Sequence, residues 1–319
     1  MTPRGRPSRS RRTPIVPDQV LEDRYRVQRQ VGEGGMSVVY LALDTHTGER
    51  VAVKALSEDL SSDKTAMARL KREARLGERL QHPCACSISA LGETAGGLMY
   101  VVMPFLDGEM LCDRTARLRY IPLVDTVPFV RDIGDGLHAA HELGIIHRDL
   151  KPENVMICAR PAGGERAVVM DFGLAKQHRT DAETEKLTAT GVVLGTPEFM
   201  SPEQLRGKPL DVRTDIYSMA IMAFEMLTGA LPFPGRTKQD MMLARLQGDP
   251  QKLRHVRPEL GFPHALEEVL AKGMARERNK RYRTAPEFAT AFAEAAAGGP
   301  GPGDPGGKGG PWWQRLLGR

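Results

Sequence analysis

Aromatic residues make up only 5% of the 319 residues, so a core must rest on Leu, Val, Ile, Met and Ala. Cysteine is also scarce, confined to Cys84, Cys86, Cys112 and Cys158. Cys84 and Cys86 are too close for an easy disulfide, and no Cys-x-x-Cys occurs. No paired His/Cys cluster completes four zinc ligands. Free thiols in a reducing compartment are the expectation. Long apolar runs are missing too. A membrane-spanning helix needs about 18 or more apolar residues in a row. The nearest stretch, Met219 to Leu227, is interrupted by Glu225 and reads as a buried helix. The basic start lacks the apolar segment of a secretory signal. A cytoplasmic protein is expected. No acid precedes Asp18, whereas Arg4, Arg6, Arg9, Arg11 and Arg12 do. That run reads as a disordered basic arm over 1–23, with weak attraction to anionic surfaces and no specific nucleic-acid site.

What is present fits a soluble globular chain: 41% hydrophobic, 27% charged, formal charge +5. The length suits one large domain or two lobes. From Tyr25 the pattern is strand-like, through Val31-Gly32, then Val38–Leu43, then Arg50–Ala55, an antiparallel meander. Lys64 to Leu80 reads as a charged helix closed by His82-Pro83. Strands are expected at Ile88–Leu91 and Met99–Met103, with Gly96-Gly97 as their turn. Beyond, helices dominate. Leu123, Val127, Val130, Ile133, Leu137 and Ala140 recur every three or four residues. Asp215 to Leu227 is apolar nearly all round, and Ala285, Phe288, Phe292 and Ala295 mark a last helix. After Ala297 a Gly/Pro-rich linker leads to a short Trp-containing tail, together 298–319. The expected organisation is α+β: a small β-rich lobe over 24–104 and a larger helical lobe over 107–297.

Four segments carry chemistry. Gly32-Glu33-Gly34-Gly35-Met36-Ser37-Val38-Val39 is a glycine-rich turn that lets backbone approach phosphates. It opens a β-branched strand rather than a helix, and Lys54 stands 20 residues after Gly34, where a dinucleotide-binding turn would carry an acid. A P-loop would need Gly-Lys-Ser/Thr, which is absent. A flap over a nucleotide suits it, although alone it is equally an ordinary hairpin. Val51-Ala52-Val53-Lys54 places a lysine on an apolar strand. It either snorkels or pairs with an anion, for which Glu73 is the candidate. In His147 to Asn154, Asp149 is a loop carboxylate and Lys151 can neutralise a transferring phosphoryl group. Asn154 offers an oxygen to Mg²⁺, and Asp171-Phe172-Gly173 supplies a second oxygen ligand.

In this order the motifs resemble the eukaryotic-like Ser/Thr protein kinases, especially those of bacteria, over 24–297, with Ser201-Pro202-Glu203 where the family has Ala-Pro-Glu. The resemblance implies the bilobal protein kinase fold and ATP-dependent phosphorylation of protein Ser/Thr hydroxyls, with Mg²⁺ or Mn²⁺. By resemblance, Lys54 held by Glu73 contacts the α/β-phosphates, Asp149 is the catalytic base aided by Lys151 and Thr196, and Asn154 and Asp171 hold the metal. Val31, Gly32, Glu33, Gly34, Gly35, Met36, Ser37, Val38, Val39, Ala52, Met103, Pro104, Leu106 and Met156 would line the ATP site. Met103 falls at the gatekeeper position and Pro104 to Leu106 at the hinge. Asp215 resembles the aspartate that fixes the catalytic loop, and Glu203 with Arg281 the lobe-stabilising ion pair. Arg148 would gather a phosphate from the segment Asp171–Glu203, with Thr188 and Thr190 as autophosphorylation candidates.

Departures from the family pattern are Ser37 for the third glycine, Pro104 for an acidic residue, and Gly77 where a large apolar residue is usual. Gly77 is expected to weaken packing of the Glu73 helix, with Leu76 as the compensating residue. Cys84-Ala85-Cys86 has no functional account from sequence. A homodimer for activation and a tail resting at a membrane interface through Trp312–Leu317 remain open. The competing classes are a kinase-shaped scaffold without activity and a small-molecule phosphotransferase. No catalytic part is missing for the first. Gly195–Glu203, which resembles a peptide-binding loop, argues against the second.

Overall fold

The computed structural model describes residues 15–34, 37–57, 64–172 and 197–298. The chain divides into two compact units, Met1–Glu78 with Ile88–Phe105, and Arg79–Ser87 with Leu106–Arg319. The split differs from the expected lobes in one segment, since residues 79–87 belong with the helical unit.

The first unit contains β1 (Val20–Leu21), β2 (Tyr25–Gly34), β3 (Ser37–Asp44), β4 (Arg50–Leu56), α1 (Lys64–Gly77), β5 (Ala90–Glu93) and β6 (Met99–Pro104). The strands form one antiparallel sheet in the order β1-β2-β3-β4-β6-β5. Side chains alternate across it as a two-residue period requires. Val27, Tyr40, Ala42, Val51, Val53, Ala55, Tyr100 and Val102 gather on one face as an apolar cluster. The sheet unit includes residues before the expected boundary at residue 24. Ile15 and Leu21 are 4% and 3% exposed and join that cluster. A two-residue strand is too short to leave a periodic signal. α1 stops at Gly77 rather than Leu80, and β5 starts at Ala90 rather than Ile88. Ile88 instead turns toward Gly77: a Cβ there would lie 2.7 Å from Ile88 Cδ1. The space that Gly77 leaves is therefore filled by Ile88 rather than Leu76.

The second unit holds β7 (Gly108–Met110), α2 (Leu111–Leu118), α3 (Leu123–Glu142), β8 (Val155–Ala159), β9 (Glu165–Val169), the one-turn α4 (Pro202–Leu205), α5 (Arg213–Thr228), α6 (Lys238–Gln247), α7 (His264–Gly273) and α8 (Ala285–Ala297). β7, β8 and β9 form a small antiparallel sheet in that order. Its core joins Val130, Ile133 and Leu137 of α3 to α5 and to Phe288 and Phe292 of α8. As its all-round apolar sequence predicts, α5 is buried along nearly its whole length. Cys84-Ala85-Cys86 now has a structural account. It lies as a strap beside β9, with Val169 N donating to Cys84 O at 2.9 Å and Cys86 N to Val169 O at 2.8 Å. A Cβ on Gly136 of α3 would collide with the Cys84 carbonyl, so the helix must be bare at that point. Burial, reinforced by Asp132, pushes the Cys84 thiol up to about 12, which leaves it inert. Among the described residues no helix is long and apolar enough to cross a membrane.

Candidate functional site

Strand register in the first unit places the nucleotide candidates. On β4, Ala52 and Lys54 alternate with the core residues Val51, Val53 and Ala55, so they share the opposite face of the sheet. Lys54 stands opposite Val39 and Val101, and Ala52 opposite Leu41 and Met103. One face thus carries a lysine, 8% exposed, among small and apolar side chains. Glu73 is half-buried on α1. The glycine-rich segment is a strand hairpin, with Gly32 opposite Val39 and Gly34 opposite Ser37, while its tip, Gly35 and Met36, lies outside the described residues. Val38 packs against the core cluster, so its side chain points away from the Val39 face. Val31 is exposed, and Glu33 pairs with Val38. Pro104 ends β6, exposed and opposite Val51. Leu106 and Met156 belong to the second unit, both half-buried, Met156 on β8.

In the second unit the loop after α3 is fixed by one carboxylate. Asp215, in the first turn of α5, is fully buried. Its Oδ2 accepts from His147 N at 2.8 Å and contacts His141 Nε2 at 2.8 Å, while Oδ1 accepts from Arg148 N at 2.9 Å. These bonds hold Arg148 at φ +65°, a left-handed conformation that costs a non-glycine residue free energy. Gln204 Nε2 donates to the Arg148 carbonyl at 2.6 Å. His147 is 1% exposed. Its Nδ1 accepts from Asp149 N at 3.2 Å, which puts the ring proton on Nε2, and Nε2 donates to Met170 O at 2.8 Å. The ring also meets Phe172 edge-on at 5.1 Å. The loop is thereby tied to the chain around Asp171, itself at φ +59°.

Asp149 and Lys151 are brought together, Nζ lying 3.6 Å from Oδ2. Asn154 Nδ2 donates to the Asp149 carbonyl at 2.8 Å, which orients the amide. Met170 N donates to Asn154 O at 2.8 Å, so Asn154 and Asp171 sit at the adjoining ends of β8 and β9. An amide oxygen and a carboxylate there are the hard donors that Mg²⁺ takes, along with water and phosphate oxygens. The Glu203–Arg281 ion pair is formed, at 2.7 and 2.8 Å, with Thr214 Oγ1 donating to Glu203 at 2.9 Å. Burial opposes the Glu203 charge, but Arg281 outweighs it and holds the carboxyl below its ordinary value.

Other residues of this unit escaped the sequence reading. His141 joins Asp215. Asp132 of α3 accepts from Arg160 at 2.6 and 2.7 Å and from Ala167 N at 3.0 Å. An acid on the apolar face of α3 was the available signal. A cavity of about 450 Å³ is lined by Cys112, Pro152, Glu153, Phe199 and Glu225 among others. Glu225 is pushed up to about 7 by burial and by the charges of Glu153 and Glu198. Gly173, Thr188, Thr190, Thr196 and the Trp312–Leu317 tail lie outside the described residues.

The protein kinase domain profile matches residues 25–289. The chain belongs to the protein kinase domain family. It is 38% identical to serine/threonine-protein kinase pkn2 of Myxococcus xanthus over 282 residues, 88% of this chain and 34% of that one. It is 37% identical to serine/threonine-protein kinase PknB of Mycobacterium leprae over 285 residues, 88% of this chain and 44% of that one. The chain thus spans between a third and a half of these relatives. Its fold matches the crystal structure of the Mycobacterium tuberculosis PknI kinase domain with a TM-score of 0.70 at 27% identity, covering 89% of this chain and 100% of that one. The sheet and the helical unit are those of a protein kinase fold, and the relatives are bacterial Ser/Thr kinases. ATP and Mg²⁺ are the usual cofactors of this family.

Proposed function

We propose that this chain is an ATP-dependent serine/threonine protein kinase. The observation that carries the reading is the catalytic loop: Asp149 held beside Lys151, its carbonyl bonded to Asn154, on a backbone pinned by the buried Asp215.

In this reading Asp149 accepts the proton of a protein hydroxyl. The hydroxyl oxygen forms the new bond to the γ-phosphorus, the bond from that phosphorus to the β,γ-bridging oxygen breaks, and ADP leaves. Lys151 offsets the charge spread over the transferring group. Such preorganised charge supplies most of the rate in phosphoryl transfer. Asn154 and Asp171 would hold Mg²⁺, which neutralises phosphate charge. In the first unit, Lys54 supported by Glu73 would meet phosphate oxygens, and Ala52, Val39 and Met103 would offer an apolar surface to adenine. Against the scaffold alternative, Ile88 packs on the position of Gly77, whose missing side chain was its support.

The Ser/Thr preference rests on Lys151 after Asp149 and on Thr196 beside the acceptor. Arg148 and the threonines of the Asp171–Glu203 segment point to autophosphorylation at Thr188 and Thr190. Phosphoamino acid analysis of chain incubated with labelled ATP, followed by mass-spectrometric mapping, tests both. Label on serine and threonine with Thr188 or Thr190 modified is expected. Label on tyrosine alone would overturn the specificity, and active enzyme unmodified at both threonines would overturn the site assignment.

A further inference from the structure

Arg148 is a strained residue of the catalytic loop, and it is held from both ends. Its φ of +65° is left-handed, a conformation that persists in a non-glycine residue only where the surroundings over-determine it. Asp215 Oδ1 accepts from its N–H at 2.9 Å. A different element takes its carbonyl: Gln204 Nε2, on α4, donates to Arg148 O at 2.6 Å across 56 positions of sequence. That carbonyl belongs to the peptide plane that leads into Asp149. The nitrogen of the same plane, Asp149 N, donates to His147 Nδ1 at 3.2 Å. A planar peptide bonded at its oxygen and at its nitrogen is fixed in orientation, so these two bonds set the direction in which the chain enters Asp149.

The side chain of Gln204 makes two kinds of bond. Its Oε1 accepts from Ser201 N at 2.9 Å while Ser201 Oγ accepts from Gln204 N at 3.3 Å, the reciprocal cap of α4. With an N–H facing one end of the amide and a carbonyl facing the other, a single orientation of the amide satisfies both. A glutamate would close the same cap. It could not donate to Arg148 O, because an ionised carboxylate only accepts. The cap therefore accounts for either residue, and the bond to the Arg148 carbonyl accounts for glutamine alone. A helix of one turn does not stand by itself. The buried Glu203–Arg281 pair, at 2.7 and 2.8 Å, fastens α4, so Gln204 reaches the loop from a fixed base.

We infer that Gln204 is a positioning residue for Asp149. It holds the Arg148–Asp149 peptide so that the Asp149 carboxylate meets the acceptor hydroxyl, and it acts on the reaction only through that peptide. This rests on the kinase reading above and adds to it a second support for the catalytic loop, reaching it from α4 rather than from Asp215.

The test is steady-state kinetics of Gln204→Glu and Gln204→Met on the full chain, with a serine-containing peptide and ATP varied in turn, from about pH 8 to about pH 5. Near the upper end kcat should fall roughly 10- to 100-fold in both variants, as for a misplaced catalytic group, with both KM values within about twofold of wild type. The variants then part with pH. As pH falls the introduced carboxyl takes up a proton and can donate to Arg148 O again, so kcat of Gln204→Glu relative to wild type at the same pH should rise several-fold. Gln204→Met has no proton to regain, and its ratio should stay flat. If Gln204→Met does not fold, Gln204→Glu, which keeps the cap, must show the loss and its recovery. If Gln204→Glu does not fold, the methionine variant must show the kcat loss at constant KM. A kcat within about twofold of wild type, KM values rising in place of a kcat loss, or a Gln204→Glu ratio that does not move with pH overturns the inference while leaving the kinase assignment standing. A wild type that phosphorylates neither peptide nor itself overturns the assignment and the inference with it.

Discussion

Glu225 interrupts the longest apolar run of the sequence, and in the fold it lies on α5, where nearly every neighbour along the helix is buried. One of its oxygens, Oε2, is buried without a hydrogen-bond partner among the described residues. Burial, then Glu153 and Glu198, raises its pKa from 4.5 to about 7. The sign of the consequence follows from proton counting. Between pH 4.5 and about 7 the unfolded chain has lost this proton and the folded chain keeps it, so stability falls as pH rises through that window and levels off above it. Glu225→Gln removes this dependence. Denaturant midpoints should show the variant gaining on the wild type from about pH 5 to pH 8, by on the order of 2–3 kcal/mol, and levelling off beyond. A constant difference across that range would contradict the raised pKa. The same carboxylate shares a cavity wall with Glu153 of the His147–Asn154 segment.

At the scale of elements, long-range polar ties hold irregular segments where helices alone would not. Glu203 lies in α4, a single turn stabilised by a reciprocal cap between Ser201 and Gln204. Arg281, 78 residues away, anchors it through two hydrogen bonds and also donates to Ala275 O at 2.7 Å. Arg281→Met would leave a buried carboxylate without its partner. A loss of about 3–5 kcal/mol is expected in urea denaturation, and a change under 1 kcal/mol would show that the tie is dispensable. Elements were legible in the sequence where the information is local. The periods of α3 and α8, the all-round apolar run of α5 and the alternation of β4 are written in neighbouring residues, and so is the Asp149–Asn154 spacing. Elements that depend on distant partners were not. The Cys84–Cys86 strap is defined by Val169, the strand at Val20–Leu21 by Arg26 and Tyr25, and the placing of Ile88 by a missing side chain at Gly77. Likewise His141 meets Asp215 across 74 positions, which no helical or strand period encodes.

For the whole molecule, each unit organises one half of the chemistry. The first sets Lys54 on the face of its sheet away from its core. The second sets Asp149, Lys151, Asn154 and Asp171 around a buried aspartate. In the proposed reaction Asp149 takes the hydroxyl proton, and its removal should spare the backbone bonds that shape the loop. The decisive measurement is transfer of labelled γ-phosphate from ATP to the chain itself and to a basic acceptor protein, with Mg²⁺ or Mn²⁺, by wild type and Asp149→Asn. The account predicts labelling by the wild type and a loss of about 10²- to 10⁴-fold in Asp149→Asn, with ATP binding retained. Equal labelling by the two proteins, or none by the wild type with either metal, would contradict it.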